Sequence, residues 1–141
     1  MIRASANVNA EQELDRLRRR CVRALRRAAV YLQTQLKITL NKPNTGSRRR
    51  RKGGGSFTVY ANPSKPGEPP RKRTGFLQQN VLFEVDEANL TARVGPAANA
   101  AYGVHLELGT ARMAARPWLL ATAQKHAPQM AQILEQEVGG G

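Results

Sequence analysis

The chain is short of the residues on which cross-linking and catalysis depend. A single cysteine, Cys21, in 141 residues excludes a disulfide framework or a cysteine-rich zinc site within one chain. It falls in a helical pattern among Leu17, Ala24 and Leu25, where it reads as a small buried hydrophobe. No histidine lies near it in the sequence to make it a nucleophile. There are only two histidines. His105 and Glu107 form a His-x-Glu pair of the kind that opens a zinc deaminase signature, but no Pro-Cys-x-x-Cys follows. His126, between Lys125 and Ala127, reads as a partly exposed helix residue, and two histidines without carboxylate partners make a poor acid-base system. Gly53-Gly54-Gly55-Ser56 lacks the Gly-Lys-Ser/Thr ending of a phosphate-binding loop. We therefore expect no enzyme, no cofactor and no metal.

Long apolar runs are missing too. No stretch reaches bilayer length and the N-terminus shows no hydrophobic signal segment, so assembly in a cytoplasm with no membrane partner is expected. Asn89-Leu90-Thr91 matches the glycosylation sequon by chance on that reading. Aromatic residues are scarce, 5% against 40% hydrophobic overall, so the core must be built mainly from Leu, Val and Ala. A chain of this length suits one domain over 1–141. Acidic residues are the last scarcity: 10 Asp plus Glu against 23 Lys plus Arg leave a net charge of +13. Such an excess attracts polyanions. It does not by itself choose between DNA, RNA, a membrane surface and an acidic protein face.

What is present is organised in segments. Leu14, Leu17, Cys21, Leu25, Ala28, Leu32 and Leu36 recur at spacings of three and four, which predicts a long N-terminal helix over 9–38. Asn9 is its expected N-cap with Gln12 three residues on, and Glu11, Glu13 and Asp15 suit the positive end of the helix dipole. The other faces carry seven arginines between Arg16 and Arg27, which must meet water or something negative. Residues 41–73 read as a basic loop and Pro-rich arm. Arg48, Arg49, Arg50, Arg51 and Lys52 repel one another, and Gly53 to Gly55 stay flexible, so a mobile hairpin tip is expected there. Ser56 to Ala61 predicts one strand of that hairpin, and Asn62 to Pro70, with four prolines, an extended connector.

Over 74–138 the pattern predicts a sheet and a C-terminal helix. Thr74 reads as a cap for a short turn from Gly75 to Gln79 with Phe76 and Leu77 pointing inward. Val81 to Val85 and Leu90 to Val94 alternate apolar residues as two strands of a meander, ended by Gly95 and Pro96. Ala100 to Leu108 predicts a short helix. The last helix is expected to start at Pro117, with Pro128 either kinking it or opening a second helix. The expected fold class is α+β: long N-terminal and C-terminal helices packed on a small antiparallel sheet, with a long basic hairpin loop.

The most distinctive stretch runs Ala101-Tyr102-Gly103-Val104-His105-Leu106-Glu107-Leu108-Gly109-Thr110, then Ala115-Arg116-Pro117-Trp118-Leu119. It resembles the tyrosine, Glu-aromatic/aliphatic-Gly-Thr and Ala-Arg-Pro-aromatic-Leu pattern of siphophage minor tail and head-tail joining (neck, tail-completion) proteins. Arg73-Thr74-Gly75-Phe76-Leu77 resembles a second motif of that family, Arg-Thr-Gly-x-Leu. The resemblance covers about Thr74 to Leu134 and, more loosely, the N-terminal helix; the basic loop has no counterpart in it. Trp118, where the family commonly carries Phe, and Pro128 depart from the pattern. Physically, Gly109 permits a positive φ, Thr110 caps or turns the exit, and Glu107 is placed to pair with Arg112 or Arg116. Pro117, Trp118 and Leu119 anchor the final helix, so the stretch reads first as a structural corner.

The resemblance implies a virion protein at the neck: a homo-oligomeric ring, hexameric or dodecameric, between head-completion or connector proteins and the tail tube. Tail completion and tail termination are the roles it implies. On that reading the Pro-rich segment is an intersubunit arm, and Arg48 to Lys52 face either phage DNA in the lumen or an acidic protein surface. The competing expectation is a nonspecific nucleic-acid-binding basic protein, in which the helix arginines and the loop form one surface. A small nuclease or toxin would need a catalytic cluster that the sequence does not offer.

Overall fold

The computed structural model describes residues 2–44, 46–60 and 63–140. In chain order it holds α1 (Ile2–Thr39), β1 (Gly46–Arg50), β2 (Ser56–Tyr60), α2 (Phe76–Gln79), β3 (Val81–Asp86), β4 (Thr91–Pro96), a 3-10 turn (Ala98–Ala100), α3 (Tyr102–Leu108) and α4 (Leu120–Gly139). The fold is α+β, two long helices with two separate two-stranded antiparallel sheets. Ala61 and Asn62, expected to end one strand and begin the connector, lie outside the described residues.

Helix α1 is longer than its apparent cap suggested. Asn9 sits inside it, because no Gly or Pro interrupts the stretch from Ile2 and Ala4 and Ala6 are good helix formers. The apolar stripe divides in two. Its C-terminal part is core: Ala24, Ala28 and Ala29 let α4 approach closely, and Leu36 and Leu40 are buried. Its N-terminal part is bare, with Leu14 66% and Leu17 45% exposed. The cause is length, since α4 has 20 residues against 38 in α1 and runs antiparallel to it from Thr39–Thr122 to Arg27–Glu137. Cys21, expected to be buried, lies at this boundary and is only half-buried.

The β3–β4 hairpin has the expected alternation. Val81, Phe83 and Val85 pair with Pro96, Val94 and Ala92, and this face turns toward α1, where the Gln33 amide donates to the Val81 carbonyl at 2.7 Å. Gly95 and Pro96 belong to β4 rather than ending it, a proline being tolerated at the end of an edge strand. Between the strands the Asp86 carboxylate accepts from the backbone N–H groups of Ala88 and Asn89 and from the Asn89 side chain. The Asn89 side chain is the largest cause holding the Asp86 carboxyl below its ordinary range.

The core gathers where these elements meet, on Leu36, Leu40, Leu77, Val81, Ala100 and Trp118, with Leu32, Val94, Leu106 and Leu119 packed around them. Phe76, expected to point inward beside Leu77, is 40% exposed, because α2 is a single turn and buries one side only. The final helix begins at Leu120, three residues beyond Pro117, and continues through Pro128 as one helix.

The arginine run is a strand and not a mobile loop. Arg48, Arg49 and Arg50 pair with Thr58, Phe57 and Ser56, and only residues 51–55 form the turn, closed by Arg51 N–H to Gly55 O and Gly54 N–H to Arg51 O. Gly54 and Gly55 take positive φ there. The charged strand is held by its β-prone partner Phe57-Thr58-Val59 rather than by its own propensity. The hairpin packs chiefly on itself. Lys42–Asn44 and Lys72 are joined by two backbone hydrogen bonds, which pin the start and end of the whole excursion together.

Candidate functional site

The motif residues converge on one corner. Its centre is Trp118, fully buried, whose indole N–H donates to the Gly103 carbonyl at 2.9 Å. Gly103 must be small. A Cβ there would lie 2.7 Å from Leu77 Cδ1 and 3.3 Å from both the Trp118 ring and Pro96, so the Arg-Thr-Gly-x-Leu segment, α3 and the Pro-Trp-Leu segment close on each other around it.

Glu107 does not pair with Arg112 or Arg116. Its carboxylate accepts the backbone N–H groups of Trp118 at 2.7 Å, Leu119 at 2.8 Å and Leu120 at 3.0 Å. These are unsatisfied donors at the start of α4, and an anion there also meets the positive end of the helix dipole. Burial raises the Glu107 pKa, but the three backbone donors outweigh it and hold the carboxyl below its ordinary value. A side chain from α3 thus caps α4, which is why the helix begins at Leu120 and not at Pro117.

Between those anchors the chain turns on Gly109 and Thr110. Gly109 has φ 76 and ψ 173, a region that is essentially glycine's alone, and a Cβ would come within 2.9 Å of the Ala115 nitrogen. Thr110 exchanges two backbone hydrogen bonds with Met113, and its hydroxyl accepts the Arg112 N–H at 3.3 Å. Arg116 donates through its guanidinium to Ser64 Oγ at 2.5 Å, and its Nε is buried without a partner among the described residues. Ser64 is buried and Gly67 N–H donates to the Ala115 carbonyl, so the described part of the Pro-rich segment lies against this corner instead of projecting as an arm.

Beside the corner opens a cleft of about 440 Å³. Arg71, Lys72, Arg73 and Arg116 bring four cationic side chains to its lining, and among the described residues that line it there is no carboxylate. Phe76 and Tyr102 form part of its wall, stacked with centroids 6.4 Å apart. Burial raises the Tyr102 phenol pKa, partly opposed by a backbone hydrogen bond with Leu77. Thr74 accepts the Phe76 N–H at 3.3 Å, and Gly75, with φ 81, opens α2. Leu40, immediately after α1, lines the floor.

The basic hairpin stands apart from this corner. Arg48 and Arg50 share one face with Ser56 and Thr58, and the Arg48 Nε donates to Ser56 Oγ at 2.8 Å. Arg49 shares the other with Phe57, over whose ring Arg51 sits at 5.7 Å. Every side chain from Arg48 to Lys52 is exposed. Of the α1 arginines, Arg16 and Arg19 pair within the helix, Arg26 meets Glu87, and Arg27 meets Glu137.

Sequence reasoning missed Ser64, Gly103, the cleft cations Arg71 and Lys72, and the hydrogen bond between Tyr31 and His126 at 3.0 Å. Only Gly103 left a signal, as a glycine inside a helical stretch. Among the described residues no group of three His, Cys, Asp or Glu side chains gathers to hold a metal ion, and no helix is long and apolar enough to cross a membrane. No family model, curated protein or solved structure matches the chain.

Proposed function

We propose that this chain is a structural virion protein of a long-tailed phage, a subunit of a ring at the head-tail interface that helps join head to tail. The observation that carries the reading is how the motif residues are used. Glu107, Gly109, Arg116 and Trp118 are engaged on backbone, Ser64 or one another, which is how a chain selected for a rigid shape spends its polar groups. Its uncovered features are projections suited to neighbours: the bare half of α1 and the arginine hairpin. Connector or head-completion proteins on one side and the tail tube on the other are the partners, with the hairpin reaching DNA in the lumen or an acidic protein face.

Electron microscopy of particles assembled without the chain tests this. Filled heads and free, unjoined tails are expected; intact infectious virions would overturn it. The second reading, a nonspecific nucleic-acid-binding protein, draws on the exposed strand of arginines, which offers phosphate contacts without base readout. It requires tight DNA binding by the isolated chain that weakens steeply with salt, and no dependence of virion assembly on the chain.

A further inference from the structure

The two ends of α1 carry opposite chemistry. In a chain of net charge +13, residues 9–15 hold Glu11, Glu13 and Asp15 and no basic residue. Every side chain from 9 to 19 is exposed. Glu11, Leu14 and Asp15, at helical spacings of three and four, share one face and form a knob of two acids around an exposed leucine. Asp15 pairs with Arg19 and Glu13 with Arg16, but both pairs are solvent-exposed and i,i+3 or i,i+4, a class worth little and readily exchanged. A half-helix with bare leucines gains little from propensity alone, and most helical stability comes from packing an apolar face.

At the other end of the same helix lies the cleft whose floor is Leu40. It offers the converse: Arg71, Lys72 and Arg73 for carboxylates, beside the Arg116 already held on Ser64, and the Phe76–Tyr102 wall for an aliphatic side chain. Its volume of about 440 Å³ takes the side chains of one helical turn and not a folded body. The 38 residues of α1 separate knob and cleft by much of a rod about 57 Å long at about 1.5 Å per residue.

We infer that the acidic knob Glu11–Leu14–Asp15 of one copy of this chain docks into the basic cleft of a second copy, and that this head-to-tail contact builds the assembly. Complementary surfaces at opposite ends of one molecule make a heterologous contact, which repeats until it closes as a ring or runs on as a filament. The inference rests on the ring reading above and names its interface.

Charge reversal with mixing tests it, read by sedimentation velocity on the full chain. Glu11→Lys/Asp15→Lys gives a molecule with two basic ends, and Arg71→Glu/Lys72→Glu/Arg73→Glu, which leaves Arg116 as the one cation of the four, gives one with two acidic ends. Each alone should sediment as a monomer, with the concentration for half-assembly raised at least about tenfold, because like charges face each other at the contact. An equimolar mixture should assemble again, since each variant's knob then meets an opposite cleft. That recovery also shows that both variants are folded. The inference is overturned if either variant assembles like the parent, if the mixture stays monomeric, or if the parent itself never self-associates. Should virions still require the chain in any of those cases, the ring-side role stands and only this interface falls.

Discussion

The corner around Trp118 and the arginine hairpin are both rich in side chains that a sequence reading treats as functional, yet they use them in opposite ways. At the corner a carboxylate takes three backbone donors, an arginine takes a buried serine, and an indole takes a carbonyl. In the hairpin five cations stand exposed with one hydroxyl and one aromatic ring for company. Polar groups buried in a low-dielectric interior must be satisfied, so the corner is costly to disturb. Exposed charges are cheap to keep and cheap to change. Density of charge in a sequence therefore says little about which region holds the fold.

The contrast breaks most readily at its tight end. Trp118→Ala should cost about 3–5 kcal/mol of unfolding free energy in a denaturant titration, as removal of a fully buried aromatic side chain does. A loss below about 1 kcal/mol would mean that the corner is not part of the cooperative core.

Glu107→Gln should cost about 1–2 kcal/mol at neutral pH, the scale of a lost charged helix cap. Its pH dependence sharpens the point. Because the folded-state pKa lies below the ordinary value of 4.5, the unfolded state takes up protons first, and the Glu107 contribution is full above about 4.5. It is lost as pH falls through the depressed folded value. The stability gap between the parent and Glu107→Gln should therefore close on acidification below pH 4.5, and a gap that stays constant from pH 7 to 3 would rule out the capping role.

The smallest effect on stability belongs to the hairpin. Replacing Arg48, Arg49, Arg50, Arg51 and Lys52 by serine should change unfolding free energy by less than about 0.5 kcal/mol, as for surface positions away from caps and cores. The same variant should flatten the salt dependence of DNA binding, by roughly 0.9 in log–log slope for each phosphate no longer neutralised. Unchanged DNA binding would assign the arginines to an acidic protein partner.

Regular periodicity was the part of this molecule legible in its sequence. The alternation in β3 and β4, apart from Leu90, which sits in the turn with φ 51, the apolar run of α4 and the C-terminal part of the leucine spacing in α1 fall in the elements the pattern predicts, since each buries a face whose period its geometry dictates. Three features were not legible, for separate reasons. The arginine strand is imposed by pairing with residues 56–60, and no local propensity announces it. The role of Glu107 depends on backbone donors eleven to thirteen residues away, whereas a sequence suggests only the nearest opposite charge. The bareness of Leu14 and Leu17 follows from where α4 stops, a fact about a different segment. At the candidate site the motif positions were legible as a corner, while Ser64, Arg71 and Lys72 arrive from the Pro-rich excursion and left no pattern.

Pro128 has a mechanical consequence for α4. Its ring has no N–H to give the Gln124 carbonyl four residues earlier, and both residues face solvent. The missing rung of the ladder is therefore on the outer side, where water takes its place. A helix loosened on its outer side and intact on its inner side bows toward whatever it packs on. Pro128 therefore takes no buried hydrogen bond from α4, and the direction in which it eases the helix is toward α1, the element α4 packs on.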